Sequence, residues 1–313
     1  MLQPEVVSHL IYRIYHVRPD LKLPKTAIHK ILFKARATLP EGDPVREKIP
    51  FYWYNYGPYS EVVESSIDTL KARGILAMEE TSTGKYLLKL NKKPAYSAGV
   101  NEGVSAVVEQ IVRGIDPYNL KPFVNRIYRH DAPYGFMPLY KIDFLAPFEE
   151  YITLRPAGQS TLNRYIDDPI SPRIDRLENV IYECEAELIE EPLFDGFNDE
   201  FSSYVSGAGK AFDIIREDED HAHSIAESAC RTAMDIWIAF AKGVRILDRG
   251  HDKYYDRKLV QWEREYRTAF SDLVPKIRSF NRKIRESASL TTCQDIDERG
   301  KRILSSLIEG YFS

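Results

Sequence analysis

Cysteine is scarce: three residues, Cys184, Cys230 and Cys293, are spread through 313 positions and no two form a C-x-x-C pair. That spacing argues against a disulfide framework and against a zinc knuckle, and it fits a reducing cytoplasm. Long apolar runs are missing too, and no stretch approaches the roughly 20 residues that a membrane-spanning helix needs. The opening "MLQPEVVSHLIYRIYHVRP" has neither a basic flank before an apolar core nor a small-residue cleavage pattern, so no secretory signal and no membrane contact are expected. There is no G-x-S-x-G, no H-E-x-x-H, no dinucleotide fingerprint and no complete phosphate loop; "SGAGK" at 206–210 lacks the spacing and the preceding strand, and reads as a loop between helices. No tandem repeat or low-complexity tract occurs. No catalytic residue, cofactor or metal is expected from these absences.

What is present is ordinary in bulk and uneven in detail. Hydrophobic residues make up 43% and charged residues 29%, enough for a sizeable core in one or two domains. The formal net charge is -4, yet residues 1–95 carry 15 Lys plus Arg against 10 Asp plus Glu. The basic end permits a nucleic-acid contact without requiring one.

Periodicity predicts a helix over 4–17 with Val6, Leu10, Ile14 and Val17 on one face, and a second through "LPKTAIHKILFKARATLP" with Ile28, Ile31, Leu32 and Ala35 inward. Residues 40–50 read as a charged loop. The stretch "FYWYNYGPYS" at 51–60 reads as a short extended segment ended by Gly57 and Pro58. Ser60 then suits a helix N-cap, with Glu61 and Glu64 in the first turn, Val62, Val63, Ile67 and Leu70 inward, and Gly74 as the stop. The runs "ILAME" and "YLLKL" around "ETSTGK" predict a β-hairpin. Helix, helix, short strand, helix and hairpin describe a winged-helix-like unit.

Further helices are expected in "NEGVSAVVEQIVRG", capped by Asn101, in "DPYNLKPFVNRIYRH", capped by Asp116, and near 140–152. Proline, glycine and serine gather in "RPAGQSTLNRYIDDPISP", which places a boundary there between a domain at 1–155 and another at 170–313. The second is expected to be a helical bundle, with seams at Ala222, Ala226, Ala229, Ala233, Trp237, Phe240, Val244 and Leu247 and at Leu259, Trp262, Tyr266, Ala269, Leu273, Ile277, Phe280 and Ile284. Pro275 should kink or divide the second of these helices. The fold class is therefore mainly α with a small β-hairpin, a winged-helix-like N-terminal domain followed by a C-terminal helical bundle.

"KTAIHKILFKA" followed by "FYWYNYGPYSEVVESSIDTLKARGIL" resembles the pattern of the Panacea-type antitoxin domain and its winged-helix-like relatives in bacteria, archaea and phages, over about residues 20–95. Ile28 and Phe33 stand where the pattern has leucine and tyrosine. The resemblance implies a module that neutralises a toxin by direct protein contact, within a toxin-antitoxin or phage-defence locus.

Read from the residues alone, the rings of 51–59 cannot all face one core, because neighbours on a strand point to opposite sides. Phe51 and Trp53 are expected inside. Tyr52, Tyr54, Tyr56 and Tyr59 are the candidates for a protein-binding surface, unless residues 96–150 cover both faces. The alternative is a winged-helix DNA-binding transcriptional regulator gripping phosphates through Lys25, Lys30, Lys34, Lys85, Lys92 and Lys93, although the helix after Gly57 is acidic in its first half and would repel them. His221, His223, Glu227 and Cys230 lie near one another in sequence, but 221 and 223 fall on different helix faces whereas 223 and 227 share one, and helix-dipole compensation explains the acidic run before them. A homo-oligomer through the C-terminal bundle is the remaining partner expectation.

Overall fold

The computed structural model describes residues 3–93, 102–154, 170–217, 219–247 and 253–311. The expected boundary at 155–169 and the expected cap Asn101 lie outside the described residues. The chain is mainly helical with a small antiparallel sheet. It forms two compact units, each built from two chain segments: Met1–Tyr134 with Ala241–Glu265, and Gly135–Phe240 with Tyr266–Ser313. A single composition-based cut at 155–170 therefore does not describe the units, because residues 241–265 join the first of them.

In the first unit, helix α1 (Gln3–Val17) buries Val6, Val7, Leu10, Ile11, Ile14 and Tyr15, the stripe its 3.6-residue period dictates. Strand β1 (Lys22–Leu23) leads into α2 (Lys25–Ala37), which buries Ala27, Ile28, Ile31, Leu32 and Ala35. The expected loop at 40–50 holds a short helix, α3 (Pro44–Lys48), because Asp43 accepts a hydrogen bond from the Val45 amide at 2.7 Å and Pro44 is pre-set for a first turn. Strands β2 (Tyr52–Tyr54) and β3 (Gly57–Tyr59) follow, then α4 (Glu61–Ala72), capped by Ser60 and stopped at Gly74, whose φ is +64°. β4 (Leu76–Glu80) and β5 (Tyr86–Leu90) form the expected hairpin, and β1 adds to it in the order β1-β5-β4 with Leu23 and Met78 both opposite Leu88. Tyr15 donates its hydroxyl to the Leu88 carbonyl at 3.0 Å, tying α1 to the sheet. α5 (Glu102–Arg113) packs on α1 and α2 through Val104, Val108 and Val112. α6 (Lys121–Asp131) begins later than its sequence suggests, since Asp116 accepts from the Tyr118 amide in a turn and Pro122 opens the helix instead.

The second unit is a pack of helices around an aromatic core. α7 (Phe136–Pro138), a wider π-type stretch (Leu139–Leu145) and α8 (Ala146–Leu154) run on continuously and bury Phe136, Tyr140, Phe144 and Phe148. α9 (Ile170–Ile189) and α10 (Asp195–Glu217) pack together, and α10 contains the whole of "SGAGK", which is helix and not a loop. α11 (Glu219–Leu247) presents Ala222, Ala226, Ala229 and Ala233 fully buried. With only methyl groups on that face, neighbouring tyrosines reach its backbone: Tyr204 donates to the Ala229 carbonyl at 3.1 Å and Tyr140 to that of Ala233 at 2.9 Å. α12 (Leu259–Tyr311) runs through Pro275 as one undivided helix and buries Leu273, Ile277, Phe280 and Ile284.

Candidate functional site

The "FYWYNYGPYS" stretch is a tight hairpin and not a single strand. Tyr52 pairs with Tyr59, Trp53 with Pro58 and Tyr54 with Gly57, whose φ of +94° is readily available only to glycine. The pleat sorts the rings. Trp53 turns to Phe33 and Tyr128, with ring centroids at 5.9 Å and 5.4 Å, and Phe51 also meets Phe33 at 5.4 Å. Tyr52, Tyr54 and Tyr59 share the opposite side, Tyr52 lying 5.6 Å from Tyr59 and 6.3 Å from Tyr54.

That opposite side is covered by the end of α11 and by residues 253–265 of the same unit. Tyr255 and Trp262 stand 4.9 Å and 4.7 Å from the Tyr52 ring, and the Tyr255 hydroxyl donates to the Pro50 carbonyl at 3.0 Å. The Arg245 guanidinium lies 4.9 Å over Tyr54 and 5.0 Å over Trp262 while paired with Glu265. Lys258 pairs with Glu61 at the start of α4. Tyr128 of α6 thus meets the Trp53 side, and a segment about 200 positions away covers the other.

Helix α2 fixes the hairpin from beneath. The Ser60 amide donates to His29 Nδ1 at 3.1 Å, so the ring hydrogen sits on Nε2, which donates to Glu64 at 3.3 Å. The imidazole stacks on Tyr59 at 4.6 Å. Burial lowers the His29 pKa and keeps the ring neutral, whereas the His29 and Lys25 contacts hold the Glu64 carboxyl down at about 2. Burial beside α4 carboxylates pushes the Tyr59 hydroxyl up to about 12. One position along, Lys30 is buried and donates to the Tyr56 carbonyl, and desolvation lowers its pKa to about 8. A Cβ at position 57 would meet the end of the Lys30 chain at 3.4 Å, an ordinary contact, so it is the positive φ and not crowding that calls for glycine here.

The tyrosines singled out in the sequence therefore gather, with different exposures. Tyr52 is 5% exposed and offers no docking surface, contrary to expectation, because Tyr255 and Trp262 enclose it. Tyr54 and Tyr59 are half-buried, and Tyr56 at the turn is 69% exposed. The lysines do not gather. Lys30 is buried against the turn and offers no phosphate contact; Lys25 is paired with Glu64 and Lys34 with Asp131, whereas Lys85, Lys92 and Lys93 are exposed around the β4–β5 hairpin. The outer face of α4, formed by Glu61, Glu64, Ser65, Asp68, Thr69 and Ala72 with Tyr59, lines a shallow open depression. His223 and Glu227 are 3.4 Å apart, and among the described residues no three His, Cys, Asp or Glu side chains converge as a metal site. Among the described residues, no helix is long and apolar enough to cross a membrane.

Sequence reasoning missed the roles of His29, Arg245, Tyr255 and Lys258, and it placed Trp262 in a bundle seam. A lone histidine before a lysine in α2 carries no local signal, and the partners from 241–265 are too distant for any spacing rule to find. Comparison with protein-family models, with curated proteins and with solved structures finds no match to this chain.

Proposed function

We propose that the chain is a non-enzymatic protein-binding module, an antitoxin or phage-defence accessory of the Panacea type that neutralises or regulates a partner protein by direct contact. The order α1, β1, α2, α4, β4, β5, with β1 added to the hairpin and α3, β2 and β3 inserted before α4, supports reading the first unit as winged-helix-like. The observation that carries the proposal is the outer face of α4. In a winged helix this helix would meet DNA, yet here it carries Tyr59 with Glu61, Glu64 and Asp68, each carboxylate paired to a lysine, a combination that gives phosphate little to bind and that a protein surface accommodates. The buried or paired state of Lys25, Lys30 and Lys34 supports the same reading. The helical second unit serves oligomerisation or partner capture.

Co-expression with the product of an adjacent toxin-like reading frame tests it. The chain is expected to restore growth and to co-purify with that product, and Tyr59→Ala should weaken capture about thirtyfold, the effect of losing an interface tyrosine. Undiminished capture by Tyr59→Ala and Asp68→Lys would remove α4 from the interface. A second reading, a DNA-binding regulator, is favoured by the exposed Lys85, Lys92 and Lys93 of the hairpin. Tight electrophoretic shifts with one duplex sequence at near-physiological salt, lost on Ser65 or Thr69 substitution, would establish it instead.

A further inference from the structure

The side of the β2–β3 hairpin that carries Tyr52, Tyr54 and Tyr59 has an occupant from its own unit, and that contact has the make-up of a docked ligand. Tyr52, Tyr255 and Trp262 form a buried cluster ringed by partly buried Tyr54, Tyr59, Ile246 and Leu259. Polar contacts surround it: the Tyr255 hydroxyl on the Pro50 carbonyl, Lys258 on Glu61, and Arg245 over Tyr54 and Trp262. The α1–α2–α4 core of the same unit is mostly aliphatic, with Val7, Leu10, Ile14, Ile28, Ile31, Val63 and Ile67, and the rings of Phe51, Trp53 and Tyr128 lie on the far side of the hairpin. An aromatic and arginine centre inside an ion-paired rim is how interfaces between separate partners are built.

We infer that residues 253–265 are a built-in occupant of this face, an autoinhibitory segment that a partner presenting the same chemistry, two aromatic rings flanked by a lysine, has to displace. The inference rests on the protein-binding reading above. A segment of the same chain competes intramolecularly, so a competing partner binds the free face better than the covered one. Tyr54, and the side of Tyr59 turned away from His29, then become available only when Tyr255 and Trp262 leave. Tyr59 is where this face meets the outer side of α4.

The test uses a fluorescent peptide of residues 253–266 and the full chain, wild type and Tyr255→Ala/Trp262→Ala, with anisotropy as the readout. The peptide should bind the double variant at least tenfold more tightly than wild type, and a peptide carrying Lys258→Glu should lose that binding. Equal affinity for the two proteins, or no binding to the variant, overturns the inference and makes the segment ordinary core. Glu61→Lys gives an independent reading that leaves every ring in place. Trypsin should cut after Arg257 several-fold faster in this variant at an unchanged melting midpoint, and an unchanged cutting rate also overturns the inference. Neither measurement uses an external partner, so their failure is distinct from failure of capture by the adjacent gene's product.

Discussion

At His29 both ring nitrogens are committed, Nδ1 accepting from the Ser60 amide and Nε2 donating to Glu64. A protonated ring would carry hydrogen on both nitrogens and could no longer accept from Ser60. Burial is the largest influence on its pKa, Lys25 and Lys30 oppose the charged form as well, and Glu64 favours it without reversing the direction. The folded state therefore binds this proton less readily than the unfolded chain. The corresponding stability is complete above the ordinary histidine value of 6.5 and is lost as pH falls below it. Glu64 acts in a lower window: with its pKa held at about 2 against an ordinary 4.5, its contribution is present above 4.5 and lost as pH falls toward 2. Urea denaturation should show wild-type stability declining from pH 7 to 5 and a flatter profile for His29→Gln, which starts about 1–2 kcal/mol lower at pH 7. Parallel profiles would mean that another group carries the dependence. Glu64→Gln should cost about 1 kcal/mol at pH 7, because the full shift is discounted for the solvent screening of a partly exposed pair.

Among the elements, those whose information is local were legible in the sequence. α1, α2 and α4 follow from a 3.6-residue stripe, and the Ser60 cap and Gly74 stop of α4 stand in adjacent sequence. "SGAGK" reads as a loop because of its glycines, yet it is helix, and the use of Gly207 lies on another helix. At Gly207 a Cβ would come within 2.9 Å of the Phe280 ring and collide with the Asn281 amide, which donates to the Ser203 carbonyl at 3.0 Å. The glycine weakens α10 intrinsically and is required for the approach of α12. Gly207→Ala should therefore destabilise by about 1–3 kcal/mol despite the better helix propensity of alanine, and a gain in thermal midpoint would refute the packing argument. Trp237 lies on the expected seam of α11, which is buried from Ala222 to Val244 and ends at the exposed Leu247. It is 2% exposed and stacks on Tyr140 at 6.3 Å, so Trp237→Ala should cost about 3–5 kcal/mol in thermal denaturation. An unchanged midpoint would place the ring outside the core.

At the scale of the whole molecule, composition suggested a single cut in the chain, and proline and glycine content between 155 and 172 gave that cut a plausible place. Composition records where a chain can bend, not which distant segment returns to cover an exposed face. The Tyr255 to Pro50 hydrogen bond spans 205 positions, and neither residue has a neighbour in sequence that announces the other. The candidate site was legible only as an excess of aromatic rings at 51–59, and its covering was not legible at all. The same geometry bears on how the first unit folds. Residues 1–134 contain its aliphatic core, α1, α2, α4, α5 and the sheet, but lack Tyr255 and Trp262. A fragment of residues 1–134 should therefore fold, with helical circular dichroism and one cooperative melt. Its midpoint should lie about 10 °C below that of the same fragment saturated with the 253–266 peptide, as expected when roughly 3 kcal/mol is restored to a domain of this size. The fragment should also self-associate through the uncovered Tyr52 face, and the peptide should return it to a monomer in sedimentation. A fragment that shows no cooperative melt with or without peptide would make residues 241–265 an obligatory part of the unit's core.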